Sequence, residues 1–339
     1  MKQIRNIFTL IVVAASFLAF GPSSIAYAQA MKFTVAGGGG IKTSTYSAML
    51  ADLAGVCSND DMAISEVSTN GGVKNLELLR ANKVMAAIVP TSVLASAKLE
   101  NSTSVANIRT LAALHQEEVH LIVMAGSKNE GGVSFGKFNI GGDKIVYNNP
   151  EDLKGRNVGA VGGSVVDARI ISSLLRLGYN TVPFDSNEKL ISALTKGQID
   201  AAVVVAGAQS KVVEALPNGH FKFMPLRPNQ ELSTVYSPTK IQYPNISEGK
   251  AVDTLATRAL LVTRVFRSDE MLGKLSELRS CIIHNVPKLQ DKEGTHPKWQ
   301  DVSTAERGKW EYYELPTATA SAQDAPAAIH TSTRVKKSK

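Results

Sequence analysis

Val67-Ser68-Thr69-Asn70-Gly71-Gly72-Val73-Lys74-Asn75-Leu76-Glu77-Leu78-Leu79 holds the transition on which the fold reading turns. Ala63 to Ser68 alternates as a half-buried strand does. Thr69-Asn70-Gly71-Gly72 breaks the alternation, and Val73, Leu76 and Leu79 then recur at helical spacing. Upstream lies the same plan: an apolar strand at Lys32 to Ala36, four glycines at Gly37 to Gly40, then Tyr46, Met49, Leu50, Leu53 and Val56 on one helix face. Downstream, Val84 to Val89 is an apolar run the length of a buried strand. Pro90-Thr91 starts a further helix, and Ile108 to Leu114 and Val119 to Met124 read as two more strands.

A polar, glycine-rich stretch from Gly126 to Glu151 interrupts the rhythm. Its pattern predicts a hairpin of Phe135 to Ile140 with Lys144 to Tyr147 around Gly141-Gly142. The alternation then restarts. Asn157 to Val161 is a strand, Gly162-Gly163 a turn and Val165 to Leu177 a helix. Thr181 to Phe184, Glu188 to Thr195 and Ile199 to Val205 follow as strand, helix and buried strand. A helix over Gln209 to Leu216 and a strand over Phe221 to Met224 complete this half. Strands alternating with helices imply parallel sheets covered on both faces. The predicted class is α/β with two lobes, each a mostly parallel sheet flanked by helices. The segment from Thr254 through a helix at Met271 to Ile283 has no lobe of its own and is expected to pack back on the first. The division predicted is 31–125 with 250–315 for the first lobe and 126–249 for the second.

In open α/β sheets ligands bind beyond the carboxyl ends of strands. A helix start there offers unpaired N–H groups and partial positive charge, which favour anions, and glycine lets backbone approach a ligand closely. Three places qualify: Gly37 to Tyr46, Thr69 to Asn75, and Gly162 to Asp167. In the last, Ser164 and Asp167 match an S-x-x-D capping pattern. Each turn alone reads more readily as a capped turn without a ligand. Their equivalent placement in both halves points to a cleft, with Gly39, Gly40, Tyr46, Thr69, Gly72, Asn75, Gly162, Gly163 and Ser164 as candidate contacts. Lys42 either pairs with a ligand carboxylate or is a solvated lysine.

The chain opens with Lys2 and Arg5, an apolar run from Ile7 to Phe20 and two A-x-A patterns at Ala26 to Ala30. That is the layout of a secretory signal peptide over residues 1–30. The run is short of the about 20 residues that a membrane span needs. The mature chain is expected to be a soluble periplasmic protein. The net charge of +7 is misleading. Lys2 and Arg5 belong to the leader, and Arg334, Lys336, Lys337 and Lys339 to an Ala-, Thr-, Ser- and Pro-rich tail from 316 to 339, expected to be disordered. With aromatics at 6%, no basic nucleic-acid face is indicated. Cys57 and Cys281 are the only cysteines. In an oxidising compartment an even count favours a pair, the alternative being two buried free thiols. Cys57 ends the first helix and Cys281 lies in the returning segment, so they are placed to meet.

Val67 to Leu79 resembles the "TGGSVENL" signature of the TAXI solute receptors associated with TRAP transporters. "VMAAIVPTSVL" from Val84, "LKGRNVGAVGGSVVDARIISSLLRLGY" from Leu153 and "IQYPNISEGKAVDTLATRALLVT" from Ile241 resemble that family's later motifs, in order. The resemblance implies a type II periplasmic binding protein-like fold, whose two lobes close on an amino-acid-like or other carboxylated solute for delivery to a TRAP-type permease. It places Tyr46, Thr69, Gly72, Asn75, Gly163 and Ser164 on the cleft. The first glycine loop departs from the family pattern and carries Lys42.

An enzyme reading finds little support. "GGGGIKTS" fails the phosphate-loop spacing because Ile41 stands where its second glycine must be. No G-x-S-x-G surrounds Ser164, and the histidines form no zinc pattern. No cofactor and no metal are expected, and the protein is predicted to be a monomer. A periplasmic sensor subunit and, behind it, an enzyme on a binding-protein scaffold are the alternatives to a transport receptor. Protein recovered from the periplasm should begin between Gln29 and Met31. N-terminal sequencing that finds Met1 on the soluble native protein would contradict the export reading.

Overall fold

The computed structural model describes residues 30–39, 44–126, 128–130, 133–135, 138–140, 143–207 and 210–315. The leader, the tail, Gly40 and Lys42 therefore lie outside the described residues.

The first half is built from strands β1 (Met31–Ala36), β2 (Met62–Val67) and β3 (Ala86–Pro90), parallel in the order β2-β1-β3. Helices α1 (Thr45–Cys57) and α2 (Gly72–Arg80) make the crossovers. Parallel neighbours need such crossovers, because a tight turn can only reverse the chain. Helix α3 (Thr91–Glu100) follows β3 directly.

Strand β4 (Ile108–Met124) then runs without a break. The sequence pattern divides it in two at His115-Gln116-Glu117-Glu118, but these four residues are not a turn. They hold no glycine or proline, and Gln116, Glu117 and Glu118 pair in register with Arg258, Thr257 and Ala256 of a partner strand.

The short strands β5 (Lys128–Glu130), β6 (Val133–Phe135), β7 (Phe138–Ile140) and β8 (Asp143–Ile145) form nested pairs, β5 with β8 and β6 with β7. Phe135 pairs with Phe138, so the hairpin reverses there and not at Gly141-Gly142.

The second half comprises β9 (Asn157–Val161), α4 (Ser164–Leu174), β10 (Asn180–Phe184), α5 (Asn187–Thr195), β11 (Ala201–Ala206), α6 (Lys211–Glu214) and β12 (Phe221–Phe223). Its parallel order is β10-β9-β11. Helix α4 ends three residues before the predicted Leu177, where Arg176 and Gly178 take positive φ and stop it. Strand β13 (Ser237–Ile241) leads to β14 (Val252–Arg264), and α7 (Asp269–Asp291) follows.

One path of hydrogen-bonded strands joins both halves: β10-β9-β11-β4-β14-β3-β1-β2, with β12 on β4 and β13 on β14. Four cores cover it, two on each half. Phe33, Met49, Leu53 and Leu111 pack under α1 and α7 on one face of the first half; Leu76, Leu79, Val89 and Leu260 pack under α2 and α3 on the other. In the second half Leu121, Ile171 and Tyr236 pack with α4 on one face, and Ile122, Leu190 and Phe223 pack with α5 on the other. Strand β4 contributes Ile108 to Leu114 to the first pair of cores and Val119 to Val123 to the second. The polar stretch at 115–118 sits where one pair of cores gives way to the next.

Helix α7 lies on the first half, and the chain after it packs there through Trp299 and Tyr312. Trp299 is buried, its Nε1 donating to Asp52 of α1 at 2.9 Å, and Tyr312 bridges to Thr110 at the start of β4. Cys57, at the end of α1, is bonded to Cys281 in α7, with Cα atoms 5.8 Å apart and 224 residues between them in sequence. Among the described residues no helix is long and apolar enough to cross a membrane. Closing so long a loop stabilises the fold by up to about 5 kcal/mol on chain-entropy grounds. Thiol titration in denaturant without reductant should find no free thiol. The Cys57→Ala/Cys281→Ala double variant should unfold at clearly lower urea concentration.

Candidate functional site

A cavity of about 400 Å³ opens between the halves, within the usual range for small-molecule sites. The first half contributes Gly39, Tyr46, Thr69 and Gly72 to its wall, and the second Gly162, Gly163, Ser164 and Val205. Strand β4 contributes Glu117, and α4 contributes Asp167. The glycine turns face one another: a Cβ on Gly162 would stand 3.9 Å from the carbonyl oxygen of Asn70. A wider groove of about 530 Å³ around Arg169 and Arg176 is lined by the second half alone and lies open to solvent.

The glycines serve different ends. A Cβ on Gly37 would meet Glu66 Oε1 at 2.3 Å, and one on Gly38 would strike Ser44 Oγ. These two are small because the protein's own side chains fill the space: Glu66 accepts from the Gly38 N–H at 2.9 Å and from Ser47 Oγ at 2.5 Å. Gly72 lets α2 start against Pro90, whose Cδ would lie 2.4 Å from an added Cβ. Gly39 and Gly163 by contrast have open space around the Cβ position. Gly162 takes φ +54°, whereas Gly163 is helical at φ −60°.

Helices α1, α2 and α4 all begin at the cavity. The hydroxyl of Ser44 caps α1, but neither α2 nor α4 has a side-chain cap. The predicted capping role of Ser164 does not occur. Gly163 is the N-cap, so Ser164 is already the first helical residue, and its Oγ accepts from the Val205 N–H at 3.0 Å, tying α4 to β11. The N–H groups of Gly163 and Ser164 have no hydrogen-bond partner among the described residues.

Asn75 is not on the cavity wall. It is wholly buried, its Nδ2 donating to the carbonyls of Gly37 at 2.8 Å and Ile88 at 2.7 Å. Thr69 reaches the wall, but its hydroxyl donates to Asn75 and accepts from the Gly71 N–H at 3.1 Å. The two residues brace the turn between β2 and α2. Tyr46 lines the cavity, and its hydroxyl donates to Glu117 Oε2 at 3.0 Å.

Two acidic residues enter where the sequence pattern pointed only to hydroxyls and backbone. Glu117 comes from the polar stretch within β4, read from sequence as the interval between two strands. Asp167, read as a cap partner, is 2% exposed and accepts from Tyr236 Oη at 2.7 Å. Burial is the chief cause that pushes the Asp167 carboxyl up to about 6, with the charge of Glu117 acting in the same direction. Burial and then Glu117 hold the Tyr46 hydroxyl well above its ordinary value. No Lys, Arg or His is among the described residues on the wall.

His120 is used structurally. The carbonyl of Val204 can only accept, so Nδ1 donates to it at 3.0 Å and Nε2 accepts from Tyr243 Oη at 2.8 Å. Tyr243 in turn accepts from the N–H of Ser210 at the cavity rim. Burial lowers His120 to about 4, so it stays neutral. Among the described residues no group of His, Cys, Asp and Glu can hold a metal ion.

Residues 36–306 match the NMT1-like family. The chain belongs to this family. No protein of curated function matches it. The NMT1-like chain is also similar to solved structures. One is an ancestral arginine-binding protein bound to arginine, at 12% identity and TM-score 0.45, covering 79% of this chain and 96% of that one. A second is a mutant of ArgBP from T. maritima, at 13% and 0.47, covering 79% and 95%. A third is the amino acid ABC transporter substrate-binding protein AbpA from Streptococcus pneumoniae bound to L-arginine, at 14% and 0.46, covering 80% and 95%. Arginine belongs to those proteins and carries no inference about the ligand here.

Asp167 gives the NMT1-like chain a pH signature. Its folded pKa lies above the unfolded value of about 3.9, so the native state holds the proton longer. Stability therefore falls as pH rises from 4 through 6, by about 3 kcal/mol in all. Asp167→Asn keeps an acceptor for Tyr236 and removes the buried charge. In urea titrations of ligand-free protein it should equal wild type at pH 4 and exceed it at pH 7.5. An equal difference at both values would contradict the assignment.

Proposed function

We propose that this NMT1-like protein is a periplasmic solute receptor that captures a small, carboxylated ligand between two lobes and delivers it to a TRAP-type permease. The observation that carries the binding part is the cavity between the halves, with contributions from both and two uncapped helix starts. Glycine and free N–H groups at Gly163 and Ser164 suit a carboxylate. The lobes are taken as 31–125 with 250–315, and 126–249. Strands β4 and β14 pass between them and act as the hinge, and Gly162 already faces Asn70 across the gap between the halves. The periplasmic location rests on the leader-like residues 1–30. The TRAP partner rests on the four ordered motifs that resemble TAXI receptors. The protein acts as a monomer and needs no cofactor for this role.

Gly163→Val tests the cleft. The Cβ position is open and φ is negative, so the variant should fold. The branched side chain would stand where the ligand approaches α4. Affinity for the co-purified ligand, identified by mass spectrometry, should drop more than tenfold by calorimetry, at least about 1.4 kcal/mol. Lys288→Ala, on the exposed side of α7, is the matched control and should bind as wild type. A folded Gly163→Val with wild-type affinity would remove the second helix start from the site.

A further inference from the structure

A second cavity lies away from the cleft. It holds about 130 Å³ between α7, the first part of β4 and the chain that follows α7. Helix α7 presents Arg279, Ile282, Ile283 and Val286 to it, at spacings that share one helix face. Ile282 and Val286, with Leu111 of β4 and Val302, are buried and make the inner wall apolar. Ile283 is 45% exposed and stands at the mouth. Among the described residues the second half contributes nothing to this wall, so the cavity is no part of the gap between the halves. A dry cavity of about 150 Å³ lined by aliphatic and aromatic side chains takes up benzene. The space here therefore suits one small apolar group.

The mouth, in contrast, is cationic. The guanidiniums of Arg279 and Arg307 lie 5.4 and 5.3 Å from the centre of the Tyr312 ring. Neither is in an ion pair among the described residues. Glu306, the one carboxylate on the wall among them, is taken by Arg258. Arg279 uses its Nε and one terminal nitrogen on the carbonyls of Leu111 and Thr110, each at 3.1 Å. Those bonds fix the side chain and leave its charge uncompensated. Burial is the chief cause that holds the Arg279 guanidinium below its ordinary value, and the charge of Arg307 adds to it; Glu314 acts the other way without reaching ion-pair distance. The Tyr312 hydroxyl accepts from the Ala113 N–H at 3.1 Å and donates to no group among the described residues. An aromatic ring attracts a cation but does not neutralise it. Two guanidiniums held over one ring, with a hydroxyl proton on that ring, form a receptor for a carboxylate.

We propose that this cavity is a second ligand site, for a small monocarboxylate with a compact apolar body of the size of benzoate or isovalerate. The body enters among Ile282, Val286 and Val302, and the carboxylate meets Arg279, Arg307 and the Tyr312 hydroxyl. Each end of the ligand answers a separate feature of the wall: an apolar interior too small for a peptide, and a pair of guanidiniums without a counter-ion. A zwitterion would set its ammonium beside two like charges, and a dicarboxylate would bury its second charge against isoleucine and valine. The site does not rest on the reading of the cleft. Val302, Arg307 and Tyr312 belong to the chain after α7, so a bound carboxylate also fastens that chain to α7 and β4. Ligand should therefore raise the unfolding temperature as occupancy rises.

The test uses full-length mature protein, unfolded and refolded to remove bound solute. Calorimetry and thermal shift compare benzoate and isovalerate with benzamide and isovaleramide, which keep the shape and lose the charge. The expected result is saturable binding of at least one of the two carboxylates, with its amide more than tenfold weaker. Arg307→Gln removes an exposed guanidinium and should weaken that carboxylate more than tenfold. Ile283→Glu sets a like charge at the mouth, on an exposed helical position, and should do the same. Both variants should be folded by circular dichroism, and Gly163→Val in the cleft should bind the carboxylate as wild type does. The proposal is overturned if neither carboxylate binds, if the amides bind as tightly, or if folded Arg307→Gln and Ile283→Glu both keep wild-type affinity. Binding lost in Gly163→Val and kept in Arg307→Gln would also overturn it, because the carboxylate would then sit in the cleft. None of these failures bears against the cleft as a binding site, which Gly163→Val tests with the co-purified ligand.

Discussion

The pairing of β4 with β14 is the constraint on which the other features depend. These two antiparallel strands run side by side from Arg264 opposite Ile108 to Ala256 opposite Glu118. Each feeds cores on both halves, so the halves share continuous backbone and not merely a contact surface. The ladder is not uniform. Its register shifts between Arg258 and Leu260, near the polar stretch at His115 to Glu118. Such an irregularity bends and twists the ladder locally, while the apolar runs on either side anchor the strands in close-packed cores.

The same ladder brings acidic groups to the cavity. A strand alternates the faces on which its side chains lie. Glu117 therefore points into the cavity beside Tyr46, while Glu118 turns to Lys298. Both are held in an extended segment because β14 supplies their backbone hydrogen bonds. The helix starts reach the cavity for a different reason. Each follows the carboxyl end of a parallel strand, β1, β2 or β9, and all these ends lie on the same edge of their half-sheet. The cavity is consequently polar in two senses, with free N–H groups at the start of α4 and carboxylates from the same helix and from β4.

The segment after β14 holds the arrangement closed behind the cleft. Helix α7 is bonded to α1 through Cys57–Cys281, and Trp299 is hydrogen-bonded to Asp52 of the same helix. Further on, Arg258 of β14 pairs with Glu306, and the ammonium of Lys309 donates to the carbonyls of Ser233 and Tyr236 in the second half. Tyr236 is the residue whose hydroxyl meets Asp167. The terminal segment of the first half thus reaches, through one tyrosine, the acidic wall of the cavity.

Much of this architecture is legible in the chain alone. The glycine breaks at Gly37, Gly71 and Gly162, each between an apolar strand and a helical repeat, determine the α/β class, the two halves and the edge at which a site would form. Those signals are local: a period of two or 3.6 residues and a residue able to turn. The polar stretch at 115–118 reads as an interval between two strands because it interrupts the apolar pattern. Only its pairing with a strand some 140 residues later makes it extended. Asn75 and Thr69 looked like ligand contacts because hydroxyl and amide groups beside a glycine turn serve equally well as braces. The carbonyls of Gly37 and Ile88, remote in sequence, decide that Asn75 is a brace. Glu117 and Asp167 carry no sequence mark that joins them. The chain by itself determined where the backbone turns, whereas the tertiary structure decided which polar side chains remain free to meet a ligand, because that depends on partners brought close only by folding.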